Sequence, residues 1–167
     1  MNISNTRFFI IMGVSGCGKT SVGKALAAKL GWDFYDADDF HSAENIAKMA
    51  SGIPLNDTDR APWLAALHDR IAASLAQNRP GVLACSALKE RYRQVLLDDN
   101  PGVQIVYLKG SYDQIWSRMS HRTGHYMKPE MLRSQFEALE EPREAITIDI
   151  ALSVNEIVKQ LVLSVTV

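Results

Sequence analysis

The sequence predicts an α/β protein, with a mostly parallel five-stranded sheet covered by helices on both faces. Three observations carry that expectation. Short apolar runs recur along the chain, amphipathic helical patterns separate them, and the first run ends in a glycine-rich turn that opens into a helix. Parallel strands buried on both sides must be covered twice, so this alternation implies helices above and below the sheet. At 167 residues the chain has room for one well-cored unit, and residues 1–167 are expected to form a single domain.

The elements follow in order. Phe8–Met12 ("FFIIM") is apolar at every position and reads as the first strand, and "KTSVGKALAAKL" after it repeats apolar residues at helical spacing. A short second strand lies at Phe34–Tyr35. The third, fourth and fifth runs are Val82–Cys85, Val103–Leu108 and Ala145–Ile150. Between them "APWLAALHDRIAASLAQ" keeps helical period over four turns, with Pro62 marking its expected start. "KERYRQVLLDD", "SYDQIWSRMS", "PEMLRSQFEALE" and "NEIVKQLVLSV" also read as helices, with Ser111 as an N-cap and Pro129 in a first turn. Two inserts interrupt the alternation, one at about 38–60 and one at about 119–129 ("HRTGHYMKP"). Such excursions from an α/β core are where binding and lid functions sit.

Composition excludes several function classes. No run approaches the roughly 18 apolar residues that span a membrane. The net charge of −1 gives no basic field for nucleic acid or an anionic membrane, so an anionic substrate needs a local cluster of cations. Cys17 and Cys85 form no CxxC and read as reduced thiols. The first residues do not read as a secretory signal, because one Arg precedes only about seven apolar residues and no small-residue cleavage site follows. Cytoplasm is the expected compartment.

Gly13-Val14-Ser15-Gly16-Cys17-Gly18-Lys19-Thr20 matches the P-loop pattern at every specified position. Its glycines let backbone N–H groups converge on phosphate oxygens. The helix opening at Lys19 turns its positive end to the anion, Lys19 reaches the β- and γ-phosphates, and the Thr20 hydroxyl ligates Mg²⁺. The fold expectation therefore sharpens to a P-loop NTPase-type three-layer α/β/α sandwich that binds a nucleoside triphosphate with Mg²⁺.

The chain carries no NKxD-like guanine reader, and Asp149 in "ITIDI" reads as a strand-end carboxylate rather than a motor-type metal ligand. What remains is the plan of a small-molecule kinase. Asp36 and Asp38 in "DADDFH", two apart on an extended segment, face one side and could orient the Mg²⁺ shell and accept a proton from an attacking hydroxyl. The alternative is that they are loop carboxylates or the N-cap of the next helix, which their place behind a P-loop and at a strand end disfavours. Arg60, expected just before a helix, could clamp a carboxylate through two parallel hydrogen bonds, or pair with Asp57 or Asp59. Ser86, in "CSALKERYR", falls at the C-terminal sheet edge where α/β ligands bind. Lys89 and Arg93, four apart, could share a helix face towards an anionic substrate or form a solvated basic face. In the late insert, Arg118 and Arg122 could neutralise the transferring phosphoryl group. His121 and His125 have a zinc-like spacing but lack the HExxH glutamate. Trp63, Trp116 and Phe136 read as core.

Taken together, "MGVSGCGKT", "DADDFH", "NIAKMASGIPLNDTDRAPWL", "CSALKERYR", "VYLKG", "RTGHYM" and "SQFEALEEP" resemble the gluconokinase family of small P-loop kinases, in that family's order and over most of residues 8 to 150. The resemblance implies transfer of the ATP γ-phosphate to the 6-hydroxyl of D-gluconate, with Mg²⁺ required and a homodimer as the family's habit. It implies that Gly13 to Thr20 hold the triphosphate, that Asp36 and Asp38 lie near acceptor and metal, and that Arg60 meets the substrate carboxylate. Arg122 and His125 then fall in the lid, and Gln135 on the helix returning from it, towards the substrate. The chain departs from the family pattern at Cys17, where Ser is common, at Tyr126, where Phe is usual, and in a shorter stretch after "LEEP". A kinase for a related sugar acid and a nucleotide-binding regulatory protein are the alternative readings.

Overall fold

The computed structural model describes residues 5–121 and 128–166. Five strands, β1 (Phe8–Met12), β2 (Asp33–Asp36), β3 (Gly81–Ala84), β4 (Val103–Lys109) and β5 (Ile146–Asp149), form one sheet in the order β2-β3-β1-β4-β5. All four strand pairs are parallel. The helices are α1 (Lys19–Leu30), α2 (Ala43–Ala50), α3 (Asp57–Ala76), α4 (Glu90–Leu97), α5 (Tyr112–Ser120), α6 (Pro129–Ala138) and α7 (Val154–Thr166). A 3₁₀ turn, Ala37–Phe40, joins β2 to α2.

The uniform hydrophobicity of β1 follows from its central position. Phe9 and Ile11 point into one core, with Val22 and Leu26 of α1 and Ile157 and Leu161 of α7. Phe8, Ile10 and Met12 point into the other, with Leu64, Leu67 and Ile71 of α3 and Leu96 of α4. Both faces of the strand are buried, so no position could be polar. Each such side chain contributes about 1.5–3 kcal/mol on burial. The sheet order also decides where a ligand binds. From β1 the chain runs outward to β2 on one flank, returns to β3 beside β1, then crosses to β4 on the other flank. The crevice at that reversal lies beyond the carboxyl end of β1, where the glycine-rich turn emerges.

Local signals explain most element ends. Gly31 closes α1 in the left-handed conformation. Ser111 and Gln114 form a reciprocal capping box at the start of α5. The helix expected to begin at Pro62 instead begins at Asp57. There the Asn56 side chain accepts from Asp59 N while the Asp59 side chain accepts from Asn56 N, a capping box that outweighs the proline signal one turn later. Arg60 thus sits within the first turns of α3, not before it. Lys89 is likewise the residue before α4 rather than a member of it, so the shared helix face expected of Lys89 and Arg93 does not exist. Among the described residues no helix is long and apolar enough to cross a membrane.

Candidate active site

The glycine-rich turn is shaped by backbone conformation and by close approach. Gly13 has φ +148°, and a Cβ there would come within 2.7 Å of Cys17 Sγ and 2.9 Å of Leu108 O. Gly18, the residue before α1, has φ +101° but meets nothing within 4 Å, so conformation rather than crowding requires glycine there. The start of α1 has no side-chain cap. Its free N–H groups and positive end face the cleft, as an anion site requires. Lys19 Nζ donates to Val14 O at 3.1 Å, which lays the ammonium across the turn. The Cys17 thiol is buried, and that burial pushes its pKa up, so it is a neutral packing group and not a nucleophile.

The cleft in front of this turn has a volume of about 210 Å³ and is walled by Lys19, Thr20, Asp36, Asp38, Trp63 and Ser86, among others. Asp36 closes β2, and Thr20 Oγ1 donates to its Oδ2 at 3.3 Å. Asp38 does not continue an extended strand, as the sequence suggested. The chain turns at Asp36, whose Oδ1 accepts from Asp38 N at 3.0 Å, and the 3₁₀ turn brings both carboxylates to the same cleft by another route. Poor hydration inside the cleft, reinforced by the negative charge of Asp36, raises the pKa of Asp38 above the ordinary aspartate value. A carboxylate so disposed is a stronger base than one in open water.

Trp63 was expected to be simple core. It is only 6% exposed, yet it forms a wall of the cleft, with Nε1 donating to Ala37 O at 2.7 Å and its ring stacked on His41 at 4.5 Å between centroids. Burial lowers the pKa of His41, which favours the neutral imidazole for that stack. Arg60 lies one turn before Trp63 on the same helix face. Its Nη1 donates to Leu55 O at 2.6 Å, and its guanidinium lies 5.7 Å from the Tyr92 ring centre. Neither Asp57 nor Asp59 takes it. Tyr92 Oη and Arg91 donate to Asp57, and Lys48 pairs with Asp59 at 2.8 Å. Among the described residues Arg60 has no carboxylate partner, so it remains a positive charge beside the cleft. The i, i+3 interval between Arg60 and Trp63 is the sequence feature that could have pointed to that wall, and Tyr92 gave no signal at all.

Two expected substrate residues are engaged elsewhere. Arg93 is 2% exposed, and its guanidinium donates to Ala87 O, Leu88 O, Glu140 O and the Glu90 carboxylate. Those bonds consume the side chain, which ties the Ser86–Leu88 edge to the segment after α6 and is closed to substrate. Gln135 does not reach towards an acceptor. Its Oε1 accepts from Ser15 N at 2.7 Å, and its Nε2 donates to Ser15 Oγ at 2.9 Å. Lys89 Nζ stands 3.9 Å from Asp57 and 5.8 Å from the Tyr92 ring centre, and does not line the cleft. Ser86 lines the cleft, and its carbonyl accepts from Gly13 N at 3.4 Å. Arg118 on α5 donates to Ile150 O, and its charge reaches Cys17 in the phosphate turn. Arg122 and His125 lie outside the described residues. Asp149 accepts from Ala151 N, the ordinary role of a strand-end carboxylate.

Among the described residues no group of three or more His, Cys, Asp and Glu could hold a metal. The donor set, one hydroxyl from Thr20 beside the Asp36 carboxylate, fits a magnesium ion that takes its remaining ligands from phosphate and water. It does not fit a closed all-protein site.

A family model described as shikimate kinase matches residues 15–163. A probable gluconokinase of Mus musculus is 51% identical over 150 residues, covering 80% of this chain and 82% of its own. The thermosensitive gluconokinase of Escherichia coli K12 is 45% identical over 156 residues, with 91% and 83% covered. The crystal structure of a gluconokinase from Sinorhizobium meliloti 1021 superposes with a TM-score of 0.85 at 42% identity, over 99% of this chain and 94% of that one.

Proposed function

The chain belongs to the gluconokinase family, within the shikimate kinase type of P-loop kinases, and on that premise we propose that it transfers the ATP γ-phosphate to the 6-hydroxyl of D-gluconate. The observation that carries the reading is a single cleft that brings the phosphate turn, Lys19, Thr20, Asp36 and Asp38 together, with Arg60, which has no carboxylate partner among the described residues, one helical turn from its wall residue Trp63. A linear sugar acid has a carboxylate at one end and a primary hydroxyl at the other. Arg60 takes the carboxylate, which leaves the terminal hydroxyl towards Asp38.

In the transfer, Asp38 accepts the proton of the 6-hydroxyl as its oxygen bonds to the γ-phosphorus. The bond from that phosphorus to the β-phosphate oxygen breaks, and ADP leaves with the electron pair. Little covalent chemistry falls to the protein, so catalysis is positioning and charge stabilisation. Lys19 leaves Val14 O for the phosphate oxygens, and the N–H groups from Gly16 to Thr20 hold the β-phosphate. When bound, Mg²⁺ supplies charge neutralisation on the phosphates, with Thr20 as its protein ligand and Asp36 ordering its water. Residues about 38–60 receive the acceptor. The lid role expected of residues about 119–129, with Arg122 and His125, belongs to the same reading, and Arg118 adds positive charge from α5. The reaction belongs to the cytoplasm, where the buried thiols Cys17 and Cys85 stay reduced. The family's habit of pairing makes a homodimer the working assembly.

A coupled assay of ADP release across acceptors tests this reading. Release should depend on gluconate and fall near background with shikimate, glucose or nucleoside monophosphates. Equal or faster turnover of another aldonate would move the assignment to that sugar acid. Tight ATP binding without stimulation by any acceptor would support a regulatory protein instead.

A further inference from the structure

The bond pair between Ser15 and Gln135 has a polarity that can be deduced. Ser15 N–H can only donate, so the Gln135 atom 2.7 Å from it must be the amide oxygen. The amide nitrogen then faces Ser15 Oγ at 2.9 Å, and because that nitrogen can only donate, Oγ must accept. The hydroxyl's own hydrogen therefore cannot point at Gln135. Ser15 is a wall of the cleft, three residues before Gly18, so the unused O–H is free to turn into the space where phosphate binds.

We propose that the Ser15 hydroxyl donates a hydrogen bond to a γ-phosphate oxygen, and that Gln135 is the positioning residue that holds it in that sense. The inference rests on the kinase reading above. It gives the unspecified third position of the phosphate turn a side-chain role besides its backbone one. It also links the turn to α6, the helix that follows the late insert, across 120 residues of sequence. The bond fixes the orientation of the γ-phosphoryl group for in-line transfer, so its loss appears in turnover more than in ATP binding.

The test combines Ser15→Ala, Gln135→Leu, Gln135→Glu and the double variants. Ser15→Ala should lower kcat about 10–100-fold with the ATP KM within about threefold. Gln135→Leu should lower kcat in the wild-type background but cost less than about twofold once Ser15 is Ala. Gln135→Glu reverses the polarity, because an ionised carboxylate accepts from both Ser15 N–H and O–H and draws the proton away from phosphate. Its rate relative to wild type should rise as pH falls and the carboxyl regains a donor. Repulsion between the new charge and ATP would persist in the Ser15→Ala background, whereas the polarity effect would vanish there. A binding readout stands beside these rates. By calorimetry, Ser15→Ala should weaken a non-hydrolysable ATP analogue only about two- to threefold and leave ADP unchanged. A Ser15→Ala kcat within twofold of wild type, a flat pH ratio for Gln135→Glu, or equal weakening of ADP and the analogue would overturn the proposal. Wild-type enzyme without gluconate-dependent ADP release would instead refute the kinase reading, and the variant ratios would then be read on basal ATP hydrolysis.

Discussion

The two ends of the cleft are built by opposite means. At the nucleotide end, eight consecutive residues supply the turn, the helix start, the lysine and the hydroxyl, and β1 anchors them in both cores. At the proposed acceptor end, Asp38 and Trp63 of the cleft wall and Arg60 and Tyr92 beside it come from a 3₁₀ turn and two helices, joined by side-chain contacts that span tens of residues. Backbone conformation makes the first end. Tertiary packing makes the second. On the proposed reading, phosphate transfer is a local property of this chain, whereas acceptor choice depends on how α3 and α4 dock.

Removing Lys19 should break the nucleotide end with the largest effect. Lys19→Ala is expected to lower kcat by about 10³-fold or more, since the ammonium stabilises charge on the transferring group. Single-turnover kinetics would check that the loss lies in the chemical step.

Asp38→Asn should cut kcat by about 10²–10⁴-fold, the range for a lost general base. The same change should raise the melting temperature at neutral pH. The folded-state pKa of Asp38 is raised, so its ionised form is disfavoured in the fold relative to the unfolded chain. The folded state gains from this group only while it is protonated, and that advantage is lost as pH rises through the folded pKa. The stabilisation by Asn should therefore shrink in acid, which thermal scans at neutral and acidic pH would show. A variant both dead and less stable would contradict a strained catalytic carboxylate.

Two arginines sharpen the contrast between recognition and support. Arg93→Leu should cost about 3–5 kcal/mol of stability, because three backbone carbonyls and Glu90 lose a buried charged partner. Urea unfolding measures that loss, and the folded fraction should keep its gluconate KM. Arg60→Ala should behave in reverse. It should raise the gluconate KM about 10–100-fold, the worth of lost charge-assisted hydrogen bonds, with little change in ATP KM or melting temperature. Equal shifts in both KM values would remove Arg60 from the acceptor end.

Legibility in the sequence follows the same division. The α1 boundaries, all five strands, the Ser111 cap and the phosphate turn were readable because period, caps and glycines act within a few residues. The start of α3 was misread because Pro62 is a conspicuous signal and the Asn56–Asp59 box a quieter one. Arg93 read as a substrate cation or a solvated one because its partners are carbonyls of residues 87, 88 and 140, and sequence does not display carbonyls. Gln135 was placed at the substrate, when the group it meets is Ser15. Trp63 carried an apolar pattern that hid a cleft wall. Chemistry-bearing side chains were visible as types. Which of them are already spoken for was not.

The orientation of the acceptor between Arg60 and Asp38 is tested most directly by the position of the phosphate in the product. Gluconate turned over with ATP and examined by phosphorus and carbon NMR should carry the phosphate on the C6 oxygen alone. Phosphate on the carboxylate, or on an internal hydroxyl, would contradict the placement of the carboxylate at Arg60 and of the terminal hydroxyl at Asp38.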